Sequence, residues 1–241
     1  MKISTLNSKL HLLSVGSDAK TRKSNEKYPN TITAIQYLAP SLNSGYETCA
    51  GKSEGCSAAC LFTAGRGAMN SVQQARIRKT KLFFEDNEKY INYLEEDLSL
   101  LDKYGKDNNM SVYVRLNGTS DLDFISLNIF QKYPTLKFYD YTKIKERLYL
   151  DLPDNYRLTY SKDERTTEEE VLEIINLANV AVVFDNIPET YLGLPVFEGD
   201  LTDLRYEDPL KHIIGLKAKG RAKQDTSGFV VKNNISILQV S

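Results

Sequence analysis

The sequence predicts an α/β fold, a single-domain, partial (β/α) barrel-like unit of about six mainly parallel strands. Three observations predict it. Short β-branched and aromatic runs alternate with amphipathic stretches through most of the chain. One run, VAVVFDN at 180–186, is apolar on both alternating faces, as a strand covered on both sides must be. At 241 residues and 41% hydrophobic content, the chain is long enough for one large core. A doubly wound sheet is the alternative arrangement of the same units.

The elements follow in order. Residues 1–30 read as an irregular N-terminal arm, basic and polar in GSDAKTRKSNEKYPN. TITAIQYLAP (31–40), bounded by Asn30 and Pro40, is the first strand. The stretch TCAGKSEGCSAACLFTAGRG (48–67) is a long loop. Residues 70–105 are helical, capped by Asn70 or Ser71 and ended by Gly105. Their length implies two helices, or one bent near residues 86–87. SVYVRLNG, LKFYDYTK, YRLTYSK, VAVVFDN and HIIGLKAKG are strands; DFISLNIFQKYP, IKERLYLD and TTEEEVLEIINLA are helices between them. The last helix opens on a capping box from Thr166 to Glu169. Strand–helix–strand repeats of this kind give parallel strands with right-handed crossovers.

A net charge of −1 excludes a broadly basic nucleic-acid binder. No apolar run approaches the roughly 18 residues of a membrane span. The N-terminus lacks the apolar stretch of a signal peptide. A cytoplasmic protein with reduced thiols is the expectation.

In parallel α/β folds the site lies at the C-terminal ends of the strands. Here those ends are polar: Asn117, Ser120, Asp121 and Asp123, then Tyr141, Thr142 and Lys143, then Ser161 and Lys162, then Asp185 and Asn186. The first strand leads into the segment that holds all three cysteines. Its GKS tripeptide does not make a phosphate loop. The glycine required five positions before Gly51 would be residue 46, which is Tyr46, and no helical pattern starts at Ser53.

Cys49, Cys56 and Cys60 are spaced C-x6-C-x3-C. Thiolates are soft donors suited to zinc or iron–sulfur clusters. A structural zinc site needs a fourth ligand, and the only histidines, His11 and His212, are far in sequence. Three cysteines fit a [4Fe–4S] cluster with one iron open to substrate or S-adenosylmethionine. Inert buried thiols and a nucleophilic or redox cysteine are the competing readings. The arrangement is similar to that of radical S-adenosylmethionine enzymes, which carry three cysteines after the first strand of a partial barrel. The spacing here is wider than theirs, and Ala59 stands where they have an aromatic residue.

TAIQYLAPSLNSGYETCAGKSEGCSAACLFTAGRG, QQARIRKTKLFFED, VYVRLNGTSDLDF, FYDYTK and YRLTYSKDE together resemble a bacteriophage family, the gene product 88 proteins. The resemblance spans about residues 15–230. It implies that Cys49, Cys56 and Cys60 are ligands and that Arg66, Arg76, Arg115, Asp121, Tyr141 and Ser161 line one pocket. Ala50 stands where other members carry proline. Gly65, Arg66 and Gly67 would hold S-adenosylmethionine through backbone groups, and the phage context implies the cytoplasm of an infected host cell. The alternative is a non-enzymatic accessory protein that binds nucleic acid or a host protein, with zinc or a cluster as a staple. A metal-free hydrolase or transferase using the polar rim is the third reading.

Other features have plainer readings. Arg76, Arg78, Lys79 and Lys81 are a solvated helix face or an anion contact. Lys217, Lys219, Arg221 and Lys223 alternate; on an extended segment they would point one way, toward phosphates. Tyr139, Tyr141 and Tyr160 either stack on a ligand or bury their rings. The acidic Asp200, Asp203, Glu207 and Asp208 suit a hard cation, but in no known calcium-loop spacing.

Overall fold

The computed structural model describes residues 2–16, 24, 26–60, 62 and 65–233. Its strands are β1 (Leu13–Val15), β2 (Thr31–Gln36), β3 (Ser111–Arg115), β4 (Lys137–Thr142), β5 (Tyr156–Ser161), β6 (Asn179–Phe184), β7 (Thr190–Tyr191), β8 (Leu194–Glu198), β9 (Ile213–Lys217) and β10 (Val230–Val231). They form one sheet in the order β1-β2-β3-β4-β5-β6-β9-β8-β7, with β10 also on β6. Among the described residues only the β1/β2 and β7/β8 pairs are antiparallel. The mainly parallel α/β expectation holds. The sheet has ten strands rather than about six, and it is open, ending at β1 and β7.

The helices are α1 (Ile3–Asn7), α2 (Glu54–Ala58), α3 (Asn70–Glu85), α4 (Asn87–Asn108), α5 (Ile129–Lys132) and α6 (Glu168–Ile174). The break between α3 and α4 falls at Asp86, whose carboxylate caps α4 by accepting the Lys89 N–H at 3.2 Å. Gly105 does not end the helix. Asn109, with φ +52°, ends it in the left-handed conformation. Gly105 is buried inside α4, where an added Cβ would lie 2.7 Å from Val112 Cγ2 and 3.0 Å from the Met110 carbonyl. Gly105→Ala should therefore lose about 1–3 kcal/mol despite alanine's better helix propensity, read from urea unfolding.

Successive strand residues face opposite ways, and the two faces differ in chemistry. One face packs Val112, Val114, Phe138, Leu158, Val180 and Val182 against Tyr90, Leu94 and Leu98 of α4, Phe130 of α5 and Val171 of α6. That is the main core. The other face carries Tyr113 and Tyr139, covered by Leu204, Tyr28 and Tyr206. The segment 202–208 crosses this second face.

The expected irregular arm is only partly so. Within residues 2–16 it forms α1 and the edge strand β1, with Leu6, Leu12, Leu13 and Val15 buried in the core. Residues 17–23 of the arm lie outside the described residues. Among the described residues no helix is long and apolar enough to cross a membrane.

Candidate functional site

The cysteine loop lies over the C-terminal ends of β3, β4 and β5. The Thr48 hydroxyl donates to the Ala39 carbonyl at 2.8 Å, and the Thr48 carbonyl accepts the Asp121 N–H at 2.7 Å. Gly51 backs onto Lys143, just past β4, so closely that an added Cβ would sit 3.0 Å from Lys143 Cβ. Beyond β5, Glu164 accepts the Ser53 hydroxyl at 2.7 Å and the Gly55 N–H at 2.8 Å. Arg165 donates to the Gly51 carbonyl at 2.6 Å. A helix does begin at Glu54, contrary to expectation. The Ser53 hydroxyl caps it by accepting the Cys56 N–H at 3.0 Å, favoured by serine's short polar side chain. Lys52 is ion-paired with Glu47 in the same loop.

All three cysteines are free and half-buried. Cys49 Sγ accepts the Ser41 N–H at 3.4 Å and lies 3.8 Å from the Thr119 carbonyl. Burial pushes the Cys49 thiol up, the Ser41 and Thr48 contacts oppose this, and Cys60 adds to it. Burial likewise pushes Cys56 up; Lys143 opposes it, and Cys60 and Cys49 add to it. The three thiols are nonetheless not clustered. Among the described residues, no three His, Cys, Asp or Glu side chains already stand as a metal-holding group.

The other expected site residues divide into three sets. Arg76 and Ser161 stand near the thiols. Arg76 lies over the rings of Tyr37 and Phe62 at 4.9 and 5.7 Å, its Nε and Nη1 buried without a hydrogen-bond partner. Burial lowers its pKa, while Tyr37 and Cys60 support its charge. The Ser161 hydroxyl accepts from Lys143 Nζ at 3.2 Å. Burial lowers the Lys143 pKa, and Cys56 is the first charge that opposes this.

Asp121 is a structural hub as well as a rim residue. It accepts from Arg147 at 2.6 Å and from the Lys143 N–H at 2.8 Å. Gly65, Arg66 and Gly67 form a 3-10 turn before α3, with Gly65 at φ +54° and Gly67 buried.

Arg115 and Tyr141 lie on the second sheet face. The Arg115 guanidinium sits 4.7 Å over the Tyr141 ring and 3.3 Å from Asp203. Burial is the largest single effect and disfavours the Arg115 charge, but Asp203, Tyr141, Tyr139 and Asp140 together outweigh it and hold the pKa above its ordinary value. Tyr141 is pushed up to about 12, by burial first. Tyr139, Arg205 and Asp208 complete the cluster. Arg205 pairs with Asp208 at 3.0 Å, and the fully buried Tyr139 hydroxyl has no partner. The four carboxylates of the acidic loop are thus answered by cations of the chain: Asp200 by Lys219, Asp203 by Arg115, Glu207 by Lys137 and Asp208 by Arg205.

The basic stretch does not have the expected geometry. Lys217 ends β9, but Gly220–Gln224 is a 3-10 turn, so Arg221 and Lys223 leave the extended line. All four side chains are exposed, and Lys219 is held by Asp200 at 2.6 Å.

Behind the second face, on the core side, Asp140 accepts the Asn117 N–H at 2.7 Å and the Tyr156 hydroxyl at 3.4 Å. Burial pushes it from 3.8 up to about 7, against the pull of Arg115 and the Asn117 N–H. Between those values the folded chain keeps a proton that the unfolded chain has lost. This group's contribution to stability therefore falls as pH rises from about 4 to about 7. Urea unfolding of wild type and Asp140→Asn should show it. The wild type loses on the order of a few kcal/mol relative to the variant across that window, and parallel curves would refute the shift.

Fold and site define a class: an open, mainly parallel α/β protein whose strand-end rim is covered by a three-cysteine loop. The chain belongs to the Gene product 88 family, whose sequence model matches residues 11–233. No curated protein and no solved structure matches it.

Proposed function

We propose that the protein is an iron–sulfur protein, with Cys49, Cys56 and Cys60 holding a [4Fe–4S] cluster at the strand-end rim. The observation that carries this reading is the loop itself. All three cysteines of the chain stand on it, and hydrogen bonds tie it over three strand ends. Three free thiols on one loop are the donor chemistry that supports this reading. The thiols are soft donors that influence one another's ionisation. Two cations face this loop: Lys143 opposes the rise that burial imposes on the Cys56 thiol, and Cys60 in turn supports the charge of Arg76. The unpartnered Arg76 Nε and Nη1 would find acceptors in thiolate or cluster sulfur. Ligation would draw the thiols closer than they stand now.

When bound, a cluster with one open iron would supply the electron for reductive cleavage of S-adenosylmethionine. In this reading the Gly65–Ala68 turn and the rim receive that cofactor and the substrate meets Asp121 and Ser161, whereas Arg115 and Tyr141, expected in the same pocket, lie on the second sheet face with Asp203. A structural zinc staple is the weaker reading, because hydrogen bonds from Glu164, Arg165 and Asp121 already fix the loop. Anaerobic purification tests the two. A brown protein with iron and sulfide in equal amounts is expected. Colourless protein with stoichiometric zinc would replace this reading by the staple, and metal-free protein would remove both. Formation of 5′-deoxyadenosine from S-adenosylmethionine under reduction then tests the enzymatic part.

A further inference from the structure

At the opposite end of the sheet from the cysteine loop, a cavity of about 190 Å³ opens beside the first residues of β5 and β6. Its lining combines apolar and cationic side chains. Leu148, Leu158, Leu177 and Leu210 line it, and so do Arg157 and Arg205. Leu177 and Leu210 are 48% and 66% exposed, large apolar side chains left facing water.

The two arginines are differently placed. Arg205 is almost wholly buried; Asp208 balances its charge, and its Nε has no hydrogen-bond partner. Arg157 is half-buried. It donates to the Tyr206 carbonyl at 2.6 Å and stacks 4.5 Å over the Tyr206 ring. Among the described residues no carboxylate forms an ion pair with Arg157. The neighbouring Glu207 is already taken by Lys137 at 2.9 Å and by the Tyr113 hydroxyl at 2.6 Å. The cavity therefore carries one cation that forms no ion pair among the described residues, one buried unused donor and several leucines.

We infer that this cavity is a binding site for a small monocarboxylate with an apolar tail. The carboxylate meets Arg157 and Arg205 Nε, and the tail covers the leucines. One negative charge matches that one cation; a doubly charged phosphate would leave buried charge uncompensated. Guanidinium groups suit the planar carboxylate. Displacing water from exposed leucines adds a favourable apolar contribution. The site shares no residue with the cysteine loop and does not depend on a cluster.

The probes are hexanoate, hexanamide and acetate, titrated calorimetrically into the full chain. Hexanoate is expected to bind saturably. Hexanamide, which keeps the tail without the charge, and acetate, which keeps the charge without the tail, should each bind more weakly. Arg157→Gln should weaken hexanoate about tenfold or more, the scale of one lost charge-assisted contact. Leu210→Ser, at an exposed position, should weaken hexanoate and leave acetate unchanged. Cys56→Ala should bind hexanoate as the wild type does, which separates this site from the cysteine loop. No saturable binding of hexanoate, equal binding of hexanamide, or an affinity unchanged in Arg157→Gln would overturn the inference.

Discussion

If the cysteine loop holds the proposed cluster, replacing Cys56 by alanine is expected to abolish the visible thiolate–iron absorbance and the bound iron while leaving the fold intact. The substitution is mild for the backbone. Cys56 lies in α2, where alanine is a better helix former, and its N–H still reaches the Ser53 hydroxyl. The hydrogen bonds that fix the loop come from Thr48, Gly51, Ser53 and Gly55 rather than from the thiol. Apo stability should therefore change by less than about 1 kcal/mol, the cost of removing a half-buried sulfur. Cluster retention should change all or none, because a cluster with an open iron has no spare protein ligand. Ser57→Ala, one position along the same helix, is the control and should keep the colour. Colour retained in Cys56→Ala would remove the cluster reading. Colour lost together with the fold would point to a structural thiol.

The parallel strands were legible because local pattern decides them. In β3 the alternation of Val112 and Val114 with Tyr113 and Arg115 is the alternation of core and second face. The edges were not legible. β1 is only three residues long, and Asp97, more than 80 residues away, satisfies part of its backbone. The β7/β8 turn uses Leu192 at φ +52° before Gly193 at φ +76°, a conformation that leucine rarely signals. The capping box sits one residue later than expected, from Thr167 to Glu170. TTEEE offers two equivalent frames, and the Thr166 hydroxyl is already taken by the Asp163 N–H and the Tyr160 hydroxyl.

The site was legible in half. The rim residues followed from strand ends, so Asp121, Lys143 and Ser161 were found with the cysteines. Arg205 was not read as part of it, Tyr139 was read only as a ring that either stacks on a ligand or is buried, and Asp203 only as part of a cation site. Nothing near Asp203 in sequence says that Arg115 answers its charge, because that pairing exists only once segment 202–208 crosses the sheet. An acidic stretch on its own reads as a cation site. Three of its cations, Arg115, Lys137 and Lys219, come from other places in the chain, and the fourth, Arg205, from the stretch itself.

Asp97→Ala, a substitution in α4, should detach the N-terminal segment and destabilise the protein by about 3 kcal/mol or more. The Asp97 carboxylate, projecting from α4, accepts three backbone N–H groups at 2.8 Å, from His11, Leu12 and Leu13. Leu12 and Leu13 are buried, so no water replaces the lost acceptor, and each orphaned N–H costs about 1–3 kcal/mol. At the scale of a 241-residue chain this lowers Tm by roughly 6–12 °C. Asp97→Asn separates hydrogen bonding from charge. Its remaining oxygen still serves Leu12 and Leu13, but its amide faces the His11 N–H, so its loss should be smaller. Charge leaves a distinct signature. Burial raises the Asp97 pKa, although the His11, Leu13 and Leu12 N–H groups pull it back. The native state thus holds this proton to higher pH than the unfolded state, and stability from this group declines as pH rises through the ordinary carboxylate range. Asp97→Asn should lose that decline and keep most of the anchoring. If Asp97→Ala instead unfolds like wild type in urea, then α1 and β1 are held by the apolar contacts of Leu6, Leu12 and Val15 alone, and the carboxylate does not fix them to α4.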